Sequence, residues 1–201
     1  MKQILSHPLV YNFLQNLLSK KKSRRLLIEK YVKPDKKDHI LDLGCGPGRL
    51  IDLLPEGVKY TGIDISAEYI EDAKIRYGNK YNFICSDILD IDFSKIGTFN
   101  KMILRGLLHH LDDRSILYLL EHLKPALSKH AQLVSLDGCY TADQNFISKS
   151  LLSNDRGNYV RTETEYVNLL KSTFNKVESF IHNDLMKIPY DHCICICSEI
   201  R

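Results

Sequence analysis

Long apolar runs, tryptophan and paired cysteine motifs are missing from this sequence of 201 residues. A membrane-spanning helix needs about 18 consecutive apolar residues, and no segment approaches that length. The N-terminus lacks the uninterrupted apolar segment and small-residue cleavage site of a secretory signal peptide. Six cysteines without a CxxC pair fit neither a dense disulfide framework nor a zinc site. We therefore expect a cytoplasmic protein with reduced thiols and no metal.

Internal repeats and low-complexity segments are also missing, which excludes solenoids and disordered linkers. The composition, with 44% hydrophobic and 26% charged residues, is typical of a globular protein. The length allows one hydrophobic core of good size and leaves little room for a second. We expect a single domain over residues 1–201.

Charge is distributed unevenly along the chain. Residues 1–37 hold ten basic and two acidic residues, a net charge of +8, whereas the remaining residues hold 18 basic and 23 acidic residues. Such a basic segment can bind RNA or an anionic membrane surface. A helical cover over the sheet and the active site is the interpretation that we favour, because an RNA-binding protein would also need a basic body.

Short apolar strand-like runs alternate with helical patterns along most of the chain. Pro34 ends the second of two N-terminal helices, and Asp112 or Asp113 caps a later helix that ends before Pro125. The predicted strands are 39–43, 59–64, 81–86, 99–104, 132–136, 177–183 and 192–199, and the predicted helices include 9–18, 26–32, 49–54, 67–77 and 163–173. Alternating strands and helices predict an α/β fold, a doubly wound Rossmann-like sheet of seven mostly parallel strands.

The C-terminal part of the chain departs from this alternation. Residues 138–161, the lid, show no clear period and exceed the usual length of a connection, so we expect a substrate loop. Thr162 and Glu165 have the spacing of a capping box. The last two strands are too close in sequence for a crossover helix and should form an antiparallel hairpin. We therefore divide the domain into a helical cover (1–37), a core (38–137), the lid (138–161) and a C-terminal helix with hairpin (162–201).

A glycine-rich loop follows the first predicted strand, in the sequence Asp42-Leu43-Gly44-Cys45-Gly46-Pro47-Gly48. Glycines there allow a sharp turn and the close approach of a ligand, at the edge where doubly wound sheets bind ligands. Asp64 ends the second strand, where an acid can accept hydrogen bonds from ribose hydroxyls. Arg49 and Leu50 do not supply the GxGxxG fingerprint, which makes nicotinamide cofactors a poor match.

The loop, the acid after the second strand and Asp87 after the third resemble the first motifs of the class I S-adenosylmethionine-dependent methyltransferases. The resemblance covers residues 39–137. It implies that residues 44–48 and Asp42 hold the methionine end of the cofactor, and that Asp64 binds the ribose and Asp87 the adenine amino group. Ile65 and Ile88 would cover the adenine faces, and Arg105 would border the methionine. The implied cofactor-binding residues are Asp42, Gly44, Cys45, Gly46, Gly48, Asp64, Ile65, Asp87, Ile88 and Arg105.

His109 and His110 follow the fourth strand at the mouth of this site. A histidine with its ordinary pKa of about 6.5 can accept a proton at neutral pH, so either is a candidate general base. The alternative is a packing role between the strand and the next helix.

Candidates for acceptor binding lie in the lid, where two arginines would suit a carboxylate or phosphate. Internal salt bridges that only order the lid, such as one from Asp155 to an arginine, are the alternative. The candidate substrate residues are Tyr140, Gln144, Arg156 and Arg161, with Asp137, Asp155 and Tyr159 beside them. Cys193, Cys195 and Cys197 share one strand face and are interpreted as buried apolar residues rather than metal ligands.

These observations predict a methyltransferase that transfers a methyl group from S-adenosyl-L-methionine to a small molecule. An RNA-modifying enzyme that uses the basic helices is one alternative, and a cofactor-binding regulatory protein without turnover is another. We expect a small-molecule substrate, no nucleic-acid partner and no transmembrane segment. The acceptor, the use of a general base and the oligomeric state do not follow from the residues.

Overall fold

The computed structural model describes residues 21–155 and 157–201. The strands are β1 (His39–Leu43), β2 (Lys59–Asp64), β3 (Asn82–Cys85), β4 (Phe99–Arg105), β5 (Leu127–Tyr140), β6 (Arg161–Thr162), β7 (Phe174–His182) and β8 (His192–Ile200). They form a mixed sheet with strand order β3-β2-β1-β4-β5-β8-β7, and the short strand β6 pairs with β5.

Pairing along the sheet confirms the predicted doubly wound fold. Strands β1 to β5 are parallel to one another, whereas β8 is antiparallel to both β5 and β7. The C-terminal hairpin therefore lies at one edge of the sheet, as expected. Because parallel strands end at the same edge, the segments that follow β1, β2 and β4 meet there.

Helices cover both faces of the sheet and bury a core on each. The helices are α1 (Lys21–Leu26, continued by a π-helical turn, Leu27–Val32), α2 (Ala67–Tyr77), α3 (Asp113–Leu123), α4 (Phe146–Ser153) and α5 (Glu163–Leu170). Apolar residues of α1 and α2 pack with Ile40 and Tyr60 on one face, and those of α3 and α5 pack with Leu41 and Met102 on the other. No helix of the described residues is long and apolar enough to cross a membrane.

Helix α3 illustrates how local sequence determines an element. The Asp112 side chain accepts a hydrogen bond from the Ser115 amide and caps the helix. Four residues at helical spacing are buried against the sheet, and each contributes about 1.5–3 kcal/mol by burial: Ile116, Leu119, Leu120 and Leu123. The capping box of Thr162 and Glu165 likewise begins α5.

Three predictions of local structure need correction or lie outside the described residues. The predicted helix 49–54 is only a 3-10 turn, Ile51–Leu53, because Gly48 and Pro55 leave too few residues for α-helical hydrogen bonds. The lid is not irregular throughout, because β5 continues to Tyr140 and α4 follows it. The predicted helix 9–18 lies outside the residues that the structure describes.

Candidate active site

The glycine loop, residues 44–48, is tied to the neighbouring strand. The amides of Gly44 and Cys45 both donate to the Ile63 carbonyl, at 2.8 and 3.0 Å. Gly44, Gly46 and Gly48 have φ angles of 71°, 53° and 71°, which strain any residue with a Cβ. A Cβ on Gly46 would meet no atom within 4 Å. The loop therefore turns sharply and leaves open space above Gly46.

The carboxylate of Asp64 joins the glycine loop to the start of α2. Its Oδ2 accepts a hydrogen bond from the Gly46 amide at 2.8 Å, and its Oδ1 accepts one from the Ser66 amide at 2.9 Å. An ionised carboxylate has about four acceptor positions, so two amide donors leave room for hydroxyl donors of a ligand. Ile65, the next residue, is 70% exposed although it is apolar. Asp64, which can accept further hydrogen bonds, therefore lies beside the exposed apolar side chain of Ile65.

Asp42 is a buried acid in β1 with spare hydrogen-bonding capacity. The Tyr60 hydroxyl donates to Asp42 Oδ2 at 2.6 Å, whereas Oδ1 has no partner among the described residues. Burial raises the pKa of Asp42 to about 7, although the Tyr60 hydrogen bond and the charge of Arg105 act in the opposite direction. A buried carboxylate oxygen without a partner fits a cationic group of a ligand.

Asp87 and Ile88 follow β3 at the same edge of the sheet. The Asp87 side chain accepts a hydrogen bond from the Leu89 amide at 2.9 Å, which fixes the turn. Ile88 is 7% exposed, so most of its surface packs into the core. Ile65 is therefore the more accessible of the two predicted adenine contacts.

His109 lies in the 3-10 turn Leu108–His110, between two carboxylates, and is only 8% exposed. Its Nδ1 is 2.7 Å from Asp137 Oδ1, which also accepts the His109 backbone amide at 3.2 Å. Its Nε2 is 3.5 Å from Asp155 Oδ1. Burial lowers the pKa of His109, but the hydrogen bond and charge of Asp137, with the charge of Asp155, outweigh burial and raise it. Because a carboxylate accepts hydrogen bonds, the contact with Asp137 assigns the proton of the neutral imidazole to Nδ1.

The lid supplies the second carboxylate and covers the imidazole. Asp155 Oδ2 accepts a hydrogen bond from the Tyr190 hydroxyl at 2.7 Å, and its Oδ1 accepts the Gly157 amide at 2.9 Å. The Tyr159 amide donates to the His109 carbonyl at 3.0 Å. These contacts bury the ring under residues that come much later in the chain.

Residues 40–130 match a family model described as a methyltransferase domain. This matched segment is about 45% of the chain and contains the glycine loop, Asp64 and Asp87. An O-methyltransferase of Penicillium expansum is 32% identical to this chain over 93 residues, which are 43% of this chain and 34% of that protein. An uncharacterised protein of Methanocaldococcus jannaschii is 29% identical over 83% of this chain and 44% of its own length. The chain thus spans less than half the length of these two relatives.

Solved structures confirm the fold of the chain. The plantazolicin methyltransferase BpumL, solved with SAH, superposes with a TM-score of 0.69 at 19% identity, covering 98% of this chain and 94% of that one. The mitomycin 7-O-methyltransferase MmcR gives a TM-score of 0.69 at 17% identity, covering 98% of this chain and 60% of that one. At such identities, the likeness concerns the fold alone.

The predicted cofactor residues lie at or just after the carboxyl ends of neighbouring parallel strands. The predicted base, His109, follows β4 at the same edge, and its ring lies 4.2 Å from that of exposed His110. From the sequence, Asp137 is only a candidate substrate residue, and its contact with His109 is not predicted. Neither Tyr60 nor Tyr190 is singled out from the sequence, since the neighbours of a tyrosine in sequence carry no sign of a distant hydrogen-bond partner.

The described residues among the predicted substrate residues do not line one common pocket. Tyr140 lines a groove of about 940 Å³ at the end of β5, and none of the predicted cofactor residues lines that groove. The Gln144 amide donates to the Cys139 carbonyl and the Ser148 hydroxyl. Arg161 is buried and bonded to protein groups, and Arg156 lies outside the described residues.

Proposed function

We propose that this chain is a methyltransferase that uses S-adenosyl-L-methionine and methylates a hydroxyl group of a small molecule. The observation that carries the proposal is the arrangement at Asp64, whose carboxylate is fixed by the glycine loop beside exposed Ile65. The family match supports the activity. The bound SAH of BpumL and the O-methyltransferase names of two relatives support the cofactor and the acceptor atom.

Several residues of the site fit this cofactor. Asp64 can still accept from ribose hydroxyls, and Ile65 offers an apolar surface for the base, with Asp87 close by. Asp42 Oδ1, which lacks a partner among residues 21–155 and 157–201, fits the ammonium group of the methionine end. Arg105 follows at the end of β4, and Gly46 leaves room for close approach.

When bound, the cofactor supplies a sulfonium methyl group that is already electrophilic, so the protein mainly has to position the acceptor. His109 can assist a hydroxyl acceptor, because Nδ1 is held by Asp137 and the lone pair of Nε2 remains to take the proton. A hydroxyl needs this help more than a carboxylate does. The buried imidazole therefore favours O-methylation of an alcohol or phenol, with Asp155 stabilising the imidazolium that forms.

The first experiment is calorimetric titration of S-adenosylmethionine and SAH into the wild type and Asp64→Ala, with NAD as the control ligand. We expect binding of both sulfur compounds and a loss of affinity of about tenfold or more, at least 1.4 kcal/mol, in Asp64→Ala. Asp143→Ala, which removes an exposed acid outside the site, should bind as the wild type does. Binding of NAD, or no binding at all, would contradict the proposed cofactor.

A second experiment tests the transfer itself. Radiolabelled S-adenosylmethionine is incubated with fractionated small-molecule extracts and with total RNA. We expect label only in small-molecule fractions, and a decrease of about 10²-fold or more in His109→Gln with unchanged SAH affinity. Label in RNA would favour the RNA-modifying alternative, and cofactor binding without transfer to any fraction would favour a regulatory protein.

A further inference from the structure

We propose that Arg161 is a positioning residue that holds His109 in register with Asp137. The inference rests on the proposed role of His109 as the base. Arg161 lies in β6, where the lid returns to the sheet, and its side chain is 7% exposed. It does not touch the imidazole itself, so its action passes through the backbone on either side of His109.

All five N–H donors of Arg161 are used by protein acceptors. Nε and Nη2 donate to Asp113 Oδ1 at 2.9 and 2.6 Å. Nη1 donates to the carbonyls of Leu108 and Tyr159 at 3.0 and 2.9 Å, and Nη2 donates to the Leu111 carbonyl at 2.8 Å. No donor remains for a substrate anion, which excludes the carboxylate-binding role considered from the sequence.

These acceptors lie on three segments that surround the imidazole. Leu108 and Leu111 bracket His109 and His110 in the turn after β4, and Asp113 begins α3. Tyr159 belongs to the lid, and its amide donates back to the His109 carbonyl. One guanidinium therefore closes a ring of hydrogen bonds that runs from the turn to the lid and returns to the turn.

The geometry of this ring requires arginine. A guanidinium presents five donors in a fixed plane, whereas a lysine ammonium presents three donors at one point. Lysine at position 161 could keep an ion pair with Asp113 but could not reach three separated carbonyls as well. The Leu111 carbonyl would then lose its arginine donor, and the Leu108 carbonyl would keep only the Leu111 amide. The turn would lose the constraint that aims Nδ1 at Asp137.

The test is NMR of histidine-labelled protein, which needs no acceptor. The Nδ1–H proton that bonds to Asp137 should give a far-downfield signal, identified by its absence in His109→Gln. We expect folded Arg161→Lys to lose this signal. In the same variant, the backbone amides near residue 109 should exchange hydrogen about tenfold faster than in the wild type. Arg25→Lys, at an exposed ion pair with Glu29, is the matched control and should keep both.

Asp113→Asn provides a second variant, because Asp113 is exposed and its loss leaves the three carbonyl bonds of Arg161 intact. We expect it to keep the downfield signal. Retention of the signal in folded Arg161→Lys would overturn the proposal, since Arg161 would then only stabilise the fold. Loss of the signal in Asp113→Asn would also overturn it, since Arg161 would then act through its charge. SAH titration of the same samples tests the cofactor site separately, so failure of one proposal is distinguishable from failure of the other.

Discussion

At the scale of single residues, Asp42 combines a buried carboxyl with an acceptor oxygen that lacks a partner within the described parts of the chain. Its pKa of about 7 lies above the ordinary value of 3.8 because burial penalises the charge. A carboxyl whose folded pKa is raised stabilises the fold below its unfolded pKa, and this stability is lost as pH rises through the folded pKa. The loss for Asp42 should therefore fall between about pH 4 and pH 8.

We predict that Asp42→Asn removes this pH dependence from the ligand-free protein. Denaturant unfolding at pH 4 and pH 8 measures the free energy of unfolding of both proteins. The value for the variant minus the value for the wild type should be larger at pH 8 than at pH 4. The size of the change is on the order of 4 kcal/mol at most, from 1.36 kcal/mol per pKa unit. Asp143→Asn is the control. A difference that stays constant across this window would mean that Asp42 ionises normally in the fold.

A second prediction at this scale concerns the carboxylate on the lid side of His109. Asp155→Asn should lower the pKa of His109, because the charge of Asp155 is one of the influences that raise it. A ¹H–¹³C NMR titration of the ring measures the pKa directly. The hydrogen bond to Asp137 remains in this variant and should keep its proton signal. An unchanged or higher pKa would show that Asp155 does not face the imidazole in solution.

At the scale of elements, the lid docks on the His109 turn through Gly157, which is buried. A Cβ at this position would collide with the imidazole ring and lie 2.6 Å from the His109 carbonyl oxygen. Gly157→Ala should therefore undock the lid, at a cost of about 1–3 kcal/mol for overpacking.

Hydrogen exchange measures this effect. We expect faster exchange at the Tyr159 amide and in α4 for Gly157→Ala, with no change in α3. The exposed neighbour provides the control, since Asn158→Ala adds no atoms against the ring. Exchange in α4 that matches the wild type would show that the lid tolerates the added methyl group without moving.

Sequence patterns predicted the elements whose signals are local. The parallel strands, α3 with its Asp112 cap and α5 with its capping box depend on neighbouring residues, and so does the glycine loop. Helix α4 was missed because Phe146 is 83% and Ile147 53% exposed, so its apolar residues do not mark one buried face. The contacts of His109 with Asp155, and of Asp155 with Tyr190, join distant parts of the chain, so spacing along the sequence gave no indication of them.

At the scale of the whole molecule, the sheet joins two cores, and the proposed cofactor site spans the loops that follow its strands. A ligand that binds only the folded state should therefore stabilise the entire domain. SAH at 100 times its Kd should add about 2.7 kcal/mol, which raises the Tm by roughly 5–10 °C for a chain of this length. Differential scanning calorimetry should show this shift for wild type and, if affinity falls about tenfold, roughly half of it or less for Asp64→Ala at the same concentration. An equal shift in both would place SAH elsewhere.

The buried and exposed thiols allow detachment of the C-terminal hairpin to be followed by alkylation. Cys139, Cys193, Cys195 and Cys197 are buried where β5 meets the C-terminal hairpin, whereas Cys85 is exposed at the end of β3. An alkylating reagent should therefore modify Cys85 at once, and the four buried thiols only when the hairpin detaches from β5. Mass spectrometry of timed alkylation would separate these two events. The alkylation rate of the four buried thiols would report how often the hairpin detaches from β5. A dye on Cys85 would lie beside the Ile65 carbonyl, where its signal can change when an adenosine binds.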